Sequence, residues 1–136
     1  MISILASSKG TGKTKKIIDL ANEDVEKAKG NIVFVDDDKR HIYDLKHRLR
    51  FISMDEYPTK NMDEFFGFLC GIISHDHDID KIYIDGLLKV MDTTCDEIPK
   101  LVNKLEKLSN KYEIDFFMTI SCLKNDLHED LHKYLV

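Results

Sequence analysis

Residues 2–14 decide the fold: Ile2-Ser3-Ile4-Leu5-Ala6-Ser7-Ser8-Lys9-Gly10-Thr11-Gly12-Lys13-Thr14. The apolar run 2–6 reads as a buried strand, and the residues from Lys13 onward carry helical spacing, so a glycine-bearing loop joins a strand to a helix. A loop in that setting with the pattern G-x-x-x-x-G-K-S/T holds the phosphates of a nucleoside triphosphate. Gly12-Lys13-Thr14 match its end, and Ser7 stands where the first glycine is expected. Gly10 and Gly12 let the backbone turn its N–H groups inward, toward the spot where the following helix directs its positive end. The expected phosphate contacts are Ser8, Lys9, Gly10, Thr11, Gly12, Lys13 and Thr14. Lys13 is expected to reach the β- and γ-phosphates, with the Thr14 hydroxyl on Mg²⁺.

Working outward, strands and helices alternate. Residues 13–29 place Ile17, Ile18, Ala21, Val25 and Ala28 on one helical face, with Gly30 expected as the C-cap. Residues 31–35 read as a second buried strand, ending in Asp36-Asp37-Asp38. Residues 39–60 read as a partly irregular excursion with a short strand at 51–53. Asn61-Met62-Asp63-Glu64 is a capping box opening a helix through Ile73. Residues 81–86 form a strand ending in Asp85-Gly86. A helix is expected over 97–111, tolerating Pro99 in its first turn. A strand at 114–120 and a short helix at 126–134 complete the chain. Gly67 and Gly71, four apart, are expected to let the helix opened at Asn61 pack closely on the sheet.

Strands that are apolar throughout and separated by helices predict a parallel sheet covered on both faces. Right-handed crossovers place every strand's C-terminal end on one edge, where ligands bind in such sheets. The polar residues at those ends form the candidate site. They are the loop, the aspartate triplet, Asp85 and Ser121. Asp85, a lone carboxylate after Ile82-Tyr83-Ile84, has the form of a Walker B acid that holds Mg²⁺ directly or through water, against a hairpin Asp-Gly as the plainer reading. Asp36, Asp37 or Asp38 could polarise a water or an acceptor hydroxyl, and Arg40 could offset transition-state charge. Arg40, Arg48 and Arg50 share one short window. Ser121 could touch the γ-phosphate. Gly86 occupies the place where hydrolytic sites often carry a water-positioning glutamate.

Composition sets the bounds. With 136 residues, 43% of them hydrophobic, the expectation is one domain with its own core and little room for a second module. A net charge of −5 argues against broad nucleic-acid binding. No apolar run approaches the ~20 residues of a membrane span. An odd count of three widely spaced cysteines suits reduced thiols and a cytoplasmic location. His75-Asp76-His77-Asp78 and the His128/His132 pair have ligand types without a closed ligand set. Asn103-Lys104-Leu105-Glu106 lacks the final aspartate of a guanine-reading motif, which leaves adenine as the default base.

The loop, the Asp-Gly strand end and Asp63-Glu64-Phe65-Phe66-Gly67-Phe68 together resemble a family of short P-loop ATP-binding proteins of Gram-positive bacteria. More widely, the chain is similar to a minimal RecA-like P-loop NTPase. The resemblance spans nearly the whole chain. It implies a three-layer α/β fold with a mostly parallel sheet of four to five strands and helices on both faces, and ATP with Mg²⁺ as cofactors. It also implies that the strand bearing Ser121 lies between the two Walker strands. The expected function is slow or partner-dependent ATP hydrolysis, with a homodimer or an unidentified protein as partner. A nucleotide-gated adaptor and a small-molecule kinase are the alternatives.

Overall fold

The computed structural model describes residues 1–136 and contains one five-stranded, wholly parallel sheet. Its strands are β1 (Ile2–Ser7), β2 (Asn31–Asp36), β3 (Arg50–Ser53), β4 (Ile79–Ile84) and β5 (Asp115–Ser121). Four helices accompany them: α1 (Lys13–Lys27), α2 (Met62–His75), α3 (Leu87–Met91) and α4 (Ile98–Tyr112). The spatial order β1-β5-β4-β2-β3 inserts the last strand between the first and the fourth. Ser121 is thereby paired in register with Ser7, at the start of the glycine loop.

Period-two alternation along the strands sends side chains to two separate apolar clusters. Ile2, Ile4, Ile82, Ile84, Phe116 and Met118 pack with the buried stripes of α2, α3 and α4. On the opposite face Ile32, Phe34, Tyr83 and Phe117 pack with Ile17, Ile18, Ala21 and Val25 of α1, and with Leu45 and Leu49 from the excursion after β2. An α/β arrangement with both sheet faces covered follows, in three layers. An aromatic row crosses the α1 face: Phe51–Phe34, Phe34–Tyr83 and Tyr83–Phe117 have centroids 6.4, 6.2 and 5.7 Å apart. Contacts of that kind add about 0.5–1.5 kcal/mol each beyond burial. No helix is long and apolar enough to cross a membrane.

Several local expectations need correction. The first helix stops at Lys27, and Ala28 continues in extended backbone, so Gly30 is no C-cap. Gly30 is glycine because a Cβ there would run into the Asp78 carbonyl oxygen. Gly67 and Gly71 face solvent with nothing within 4 Å of an added Cβ, so they pack against nothing. The helix expected at 126–134 is two 3₁₀ turns, Lys124–Asp126 and Glu129–Tyr134, separated by extended backbone at Leu127 and His128. Leu127 and Leu131 both enter the core, and Leu135 makes a parallel bridge to Ile4 on the outer edge of β1. The short α3 was not foreseen. Gly86 in the left-handed region (φ 72°) starts it, and Leu87, Val90 and Met91 bury its inner face.

Two expectations hold in detail. Asn61 caps α2 by accepting from the Glu64 N–H at 2.9 Å, while the Glu64 carboxylate accepts from the Lys60 N–H, one residue further back than in the usual box. Pro99 sits in the first turn of α4.

Candidate functional site

The parallel topology brings the C-terminal ends of β1, β2, β4 and β5 to one edge of the sheet. A cleft of about 320 Å³ opens there, within the size range of small-molecule sites. Of the residues expected from the sequence, Lys9, Gly10, Gly12, Lys13, Thr14, Asp36, Arg40, Asp85 and Ser121 line it. Ser8, Thr11 and Asp38 do not. A larger hollow of about 760 Å³ lies along the exposed side of α1, but its wall is a mixture of surface lysines and acids such as Lys15, Lys16, Glu23 and Glu26. It converges on no single charge.

The loop is built as its glycines require. Gly10 (φ 83°) and Gly12 (φ 87°) both occupy the left-handed region, which costs an ordinary residue strain and a glycine almost none. Within the loop, the Ser7 and Thr11 hydroxyls are hydrogen-bonded, and Thr11 Oγ1 donates to the Ser8 carbonyl at 2.9 Å. The N–H groups of residues 8–12 donate to no other backbone group. Gly12 gives α1 no side-chain cap, and the first turn of that helix carries no acidic residue. An uncapped helix start with free N–H groups and no nearby carboxylate on its own turn favours an anion.

Lys13 is only 8% exposed. Its ammonium folds back to donate to the Ser7 and Ser8 carbonyls at 3.1 and 2.8 Å. Burial lowers its pKa, and the Asp85 charge pulls the other way. Thr14 Oγ1 donates to Asp85 Oδ2 at 2.9 Å, which joins the helix start to the end of β4. The other oxygen of Asp85 accepts from Thr119 Oγ1 at 2.6 Å, and Thr119 in turn accepts from the Gly86 N–H at 2.8 Å. Asp85 is no hairpin residue: its strand has only parallel neighbours, and α3 follows it.

Thr119 is the residue that sequence reasoning missed. It is 1% exposed and holds the carboxylate in place from β5, the strand between β1 and β4. The available signal was a hydroxyl interrupting Phe116-Phe117-Met118, two positions before Ser121 and so on the same face. Ser121 itself is exposed at the rim.

The aspartate triplet divides sharply. Asp38 and Asp37 both engage Arg40, with Arg40 Nε 2.8 Å from Asp38 Oδ2 and a longer 3.5 Å contact to Asp37. Arg40 remains 60% exposed in its side chain. Arg50 lies at the far end of the sheet on Asp76, at 2.7 Å, and Arg48 is at the surface. Asp36 is different: it is 2% exposed, its Oδ1 takes the Asp37 N–H at 2.8 Å, and its Oδ2 has no hydrogen-bond partner. Burial first, then the Asp37 side chain and the charge of Asp85, push its carboxyl up to about 8, against the Asp37 backbone N–H, which works the other way. It is the one buried side-chain polar atom in the chain left without a partner, and it faces the cleft.

The oxygens of Thr14 and Asp85 are hard donors of the kind Mg²⁺ takes. No group of three or more His, Cys, Asp or Glu is arranged to hold a metal ion. No protein-family model matches the chain, and no curated protein is significantly similar to it.

Proposed function

We propose that this chain is a minimal P-loop protein of the RecA-like kind that binds Mg-ATP and hydrolyses it slowly, or only when a protein partner or a second copy completes the site. The observation that carries the proposal is the convergence of Lys13, Thr14 and Asp85 on one edge: a buried ammonium over a glycine loop, and a hydroxyl bonded to a carboxylate at 2.9 Å. The free N–H groups of residues 8–12 and the uncapped start of α1 would receive the phosphate oxygens. Lys13 would exchange its two loop carbonyls for the β- and γ-phosphates, recovering there the charge interaction that burial weakens. Thr14 and Asp85 would hold Mg²⁺, which when bound offsets charge on the phosphate oxygens. Thr119 keeps Asp85 turned toward Thr14.

Weak turnover follows from two features. Gly86, after Asp85, has no side chain to position water, and Arg40 is already engaged by Asp38 and Asp37. The same features suit a nucleotide-gated adaptor. Phosphoryl transfer to a small hydroxyl compound is supported instead by Asp36, a carboxyl in the cleft wall with no partner on Oδ2.

Calorimetric titration of Mg-ATP and Mg-GTP against the native chain and Lys13→Ala tests the root of the proposal. The expected result is saturable binding of Mg-ATP, weakened by roughly 1.5–3 kcal/mol, more than about tenfold, in the variant. Equal affinity in both proteins, or no binding heat, would overturn it. Phosphate release by the native chain then separates an NTPase from an adaptor, and label transfer to a supplied polyol or nucleoside would identify a kinase.

A further inference from the structure

Cys95 and Cys122 are separated by 27 positions, yet their sulfurs lie 3.1 Å apart. Cys95 begins the 3₁₀ turn Cys95–Glu97, between α3 and α4, and Cys122 directly follows the end of β5. Neither is sealed in the core: both are partly exposed, packed against the rim of the larger apolar cluster. The gap is roughly 1 Å longer than the disulfide bond of about 2.05 Å, a closure that local side-chain rotation can supply. No third His, Cys, Asp or Glu stands with them to make a metal cluster, and a closed thiolate metal site needs four ligands. The pair is poised for thiol chemistry and for little else.

We propose that Cys95 and Cys122 form a reversible dithiol site that takes a low-molecular-weight disulfide, such as oxidised glutathione, as its oxidant and closes into an intramolecular bridge. In the first step a Cys95 thiolate attacks one sulfur of oxidised glutathione. A Cys95–glutathione bond forms, the glutathione S–S bond breaks, and one glutathione leaves with the thiol proton. In the second step Cys122 attacks the Cys95 sulfur, the Cys95–Cys122 bond forms, and the second glutathione leaves with the Cys122 proton. Two protein thiols are oxidised and one glutathione disulfide is reduced to two thiols. Burial, then the neighbouring Cys95 and Asp126, push the Cys122 thiol up to about 11, and a thiol so raised is a slow first nucleophile at neutral pH.

The bridge spans two segments that border the cleft. Cys122 is one residue from Ser121, which pairs with Ser7 of the loop. Cys95 ends the stretch that begins at Gly86, beside Asp85, and passes through two left-handed residues, Gly86 and Asp92. Linking the ends encloses α4 and β5 in one covalent loop, which restricts the unfolded chain. The inference stands on the geometry of the two thiols and does not rest on the nucleotide reading.

The test uses the full chain, fully reduced, then exposed to excess oxidised glutathione, acid-quenched, alkylated and analysed by intact mass and peptide mapping. The expected product has lost two hydrogens, carries a Cys95–Cys122 linked peptide, melts several degrees higher than the reduced chain and reverts with dithiothreitol. Cys70→Ser should behave identically, and Cys122→Ser should stop at a glutathione adduct on Cys95. Persistent glutathione on the native chain, a bridge to Cys70 or between two chains, or no reaction in the folded chain while the denatured chain reacts would each overturn the proposal.

Discussion

Thr119 Oγ1 donates to Asp85 Oδ1 at 2.6 Å, across the boundary between β5 and β4, with both side chains buried. The bond spends one carboxylate oxygen on the sheet and leaves the other for Thr14. Asp85 is therefore aimed by a neighbouring strand, and its orientation depends on a residue 34 positions away.

Replacing Thr119 with Val keeps the shape and removes the hydroxyl. Asp85 and the Gly86 N–H each lose a partner in a buried setting, a cost of about 1–3 kcal/mol in folding stability. Urea unfolding of Thr119→Val should show that loss, and Mg-dependent nucleotide affinity should fall with it. Thr119→Ser should restore both. A valine variant with native stability would show that Asp85 needs no such anchor.

Asp36 makes a pH prediction with a definite sign. Its carboxyl, ordinarily near 3.8, is pushed up to about 8 by burial and by Asp37 and Asp85. Between those values the folded chain keeps a proton that the unfolded chain has released. This group's contribution is thus fully present below about pH 4 and is lost as the pH rises toward 8. Asp36→Asn should flatten that slope and raise stability at pH 8 by about 1–3 kcal/mol, the usual cost of an unsatisfied buried polar group. Unfolding at pH 5 and pH 8 checks it; parallel pH slopes in the two proteins would sink it.

Farther along the α1 face of the sheet, the Tyr83 hydroxyl donates to Asp24, which Lys81 also reaches at 3.1 Å. Burial works to raise the pKa of Asp24, but the bonds from Tyr83 and Lys81 outweigh it and hold the carboxylate below its ordinary value. Tyr83→Phe keeps the aromatic row and should cost roughly 1–2 kcal/mol at neutral pH. Because a depressed carboxylate loses its contribution as the pH falls through its folded value, the difference between variant and native should shrink below about pH 4. A cost unchanged by acid would point to packing instead.

Gly30 tests a close approach. An added Cβ collides with the Asp78 carbonyl, whose bond to the Asn31 N–H at 2.6 Å helps set the entry to β2. Backbone has little room to yield, so Gly30→Ala should destabilise by about 1–3 kcal/mol. Gly67→Ala, in open space on α2, should stabilise by roughly 0.5–1 kcal/mol. A reversed order in thermal unfolding would contradict the packing described.

Much of this was readable locally. The order of strands and helices follows from apolar periodicity, which each segment carries in its own residues. The left-handed turns at Gly10 and Gly12 and the cap at Asn61 follow from the chemistry of single side chains. Lys13, Thr14 and Asp85 could be singled out because their spacing from a buried strand is a local property. The helix expected at 126–134 failed for the converse reason. Leu127 and Leu131 suit a helical stripe and are buried, but the chain ends by pairing with β1, the Val136 N–H donating to the Ile4 carbonyl at 3.0 Å, a long-range contact that local periodicity does not register.

The tertiary structure decided the rest. Three adjacent aspartates look alike along the chain, and only the sheet edge buries Asp36 while turning Asp38 to Arg40. Thr119 became the anchor of Asp85, and Cys95 met Cys122, because β5 inserts between β1 and β4. By itself the sequence determined which segments are strands and where a glycine-bearing loop joins the first strand to the first helix, since those depend on backbone sterics and near-neighbour pattern. Strand order, and with it which distant side chains share an edge, comes from burying both faces of the sheet at once, a balance that no local stretch contains.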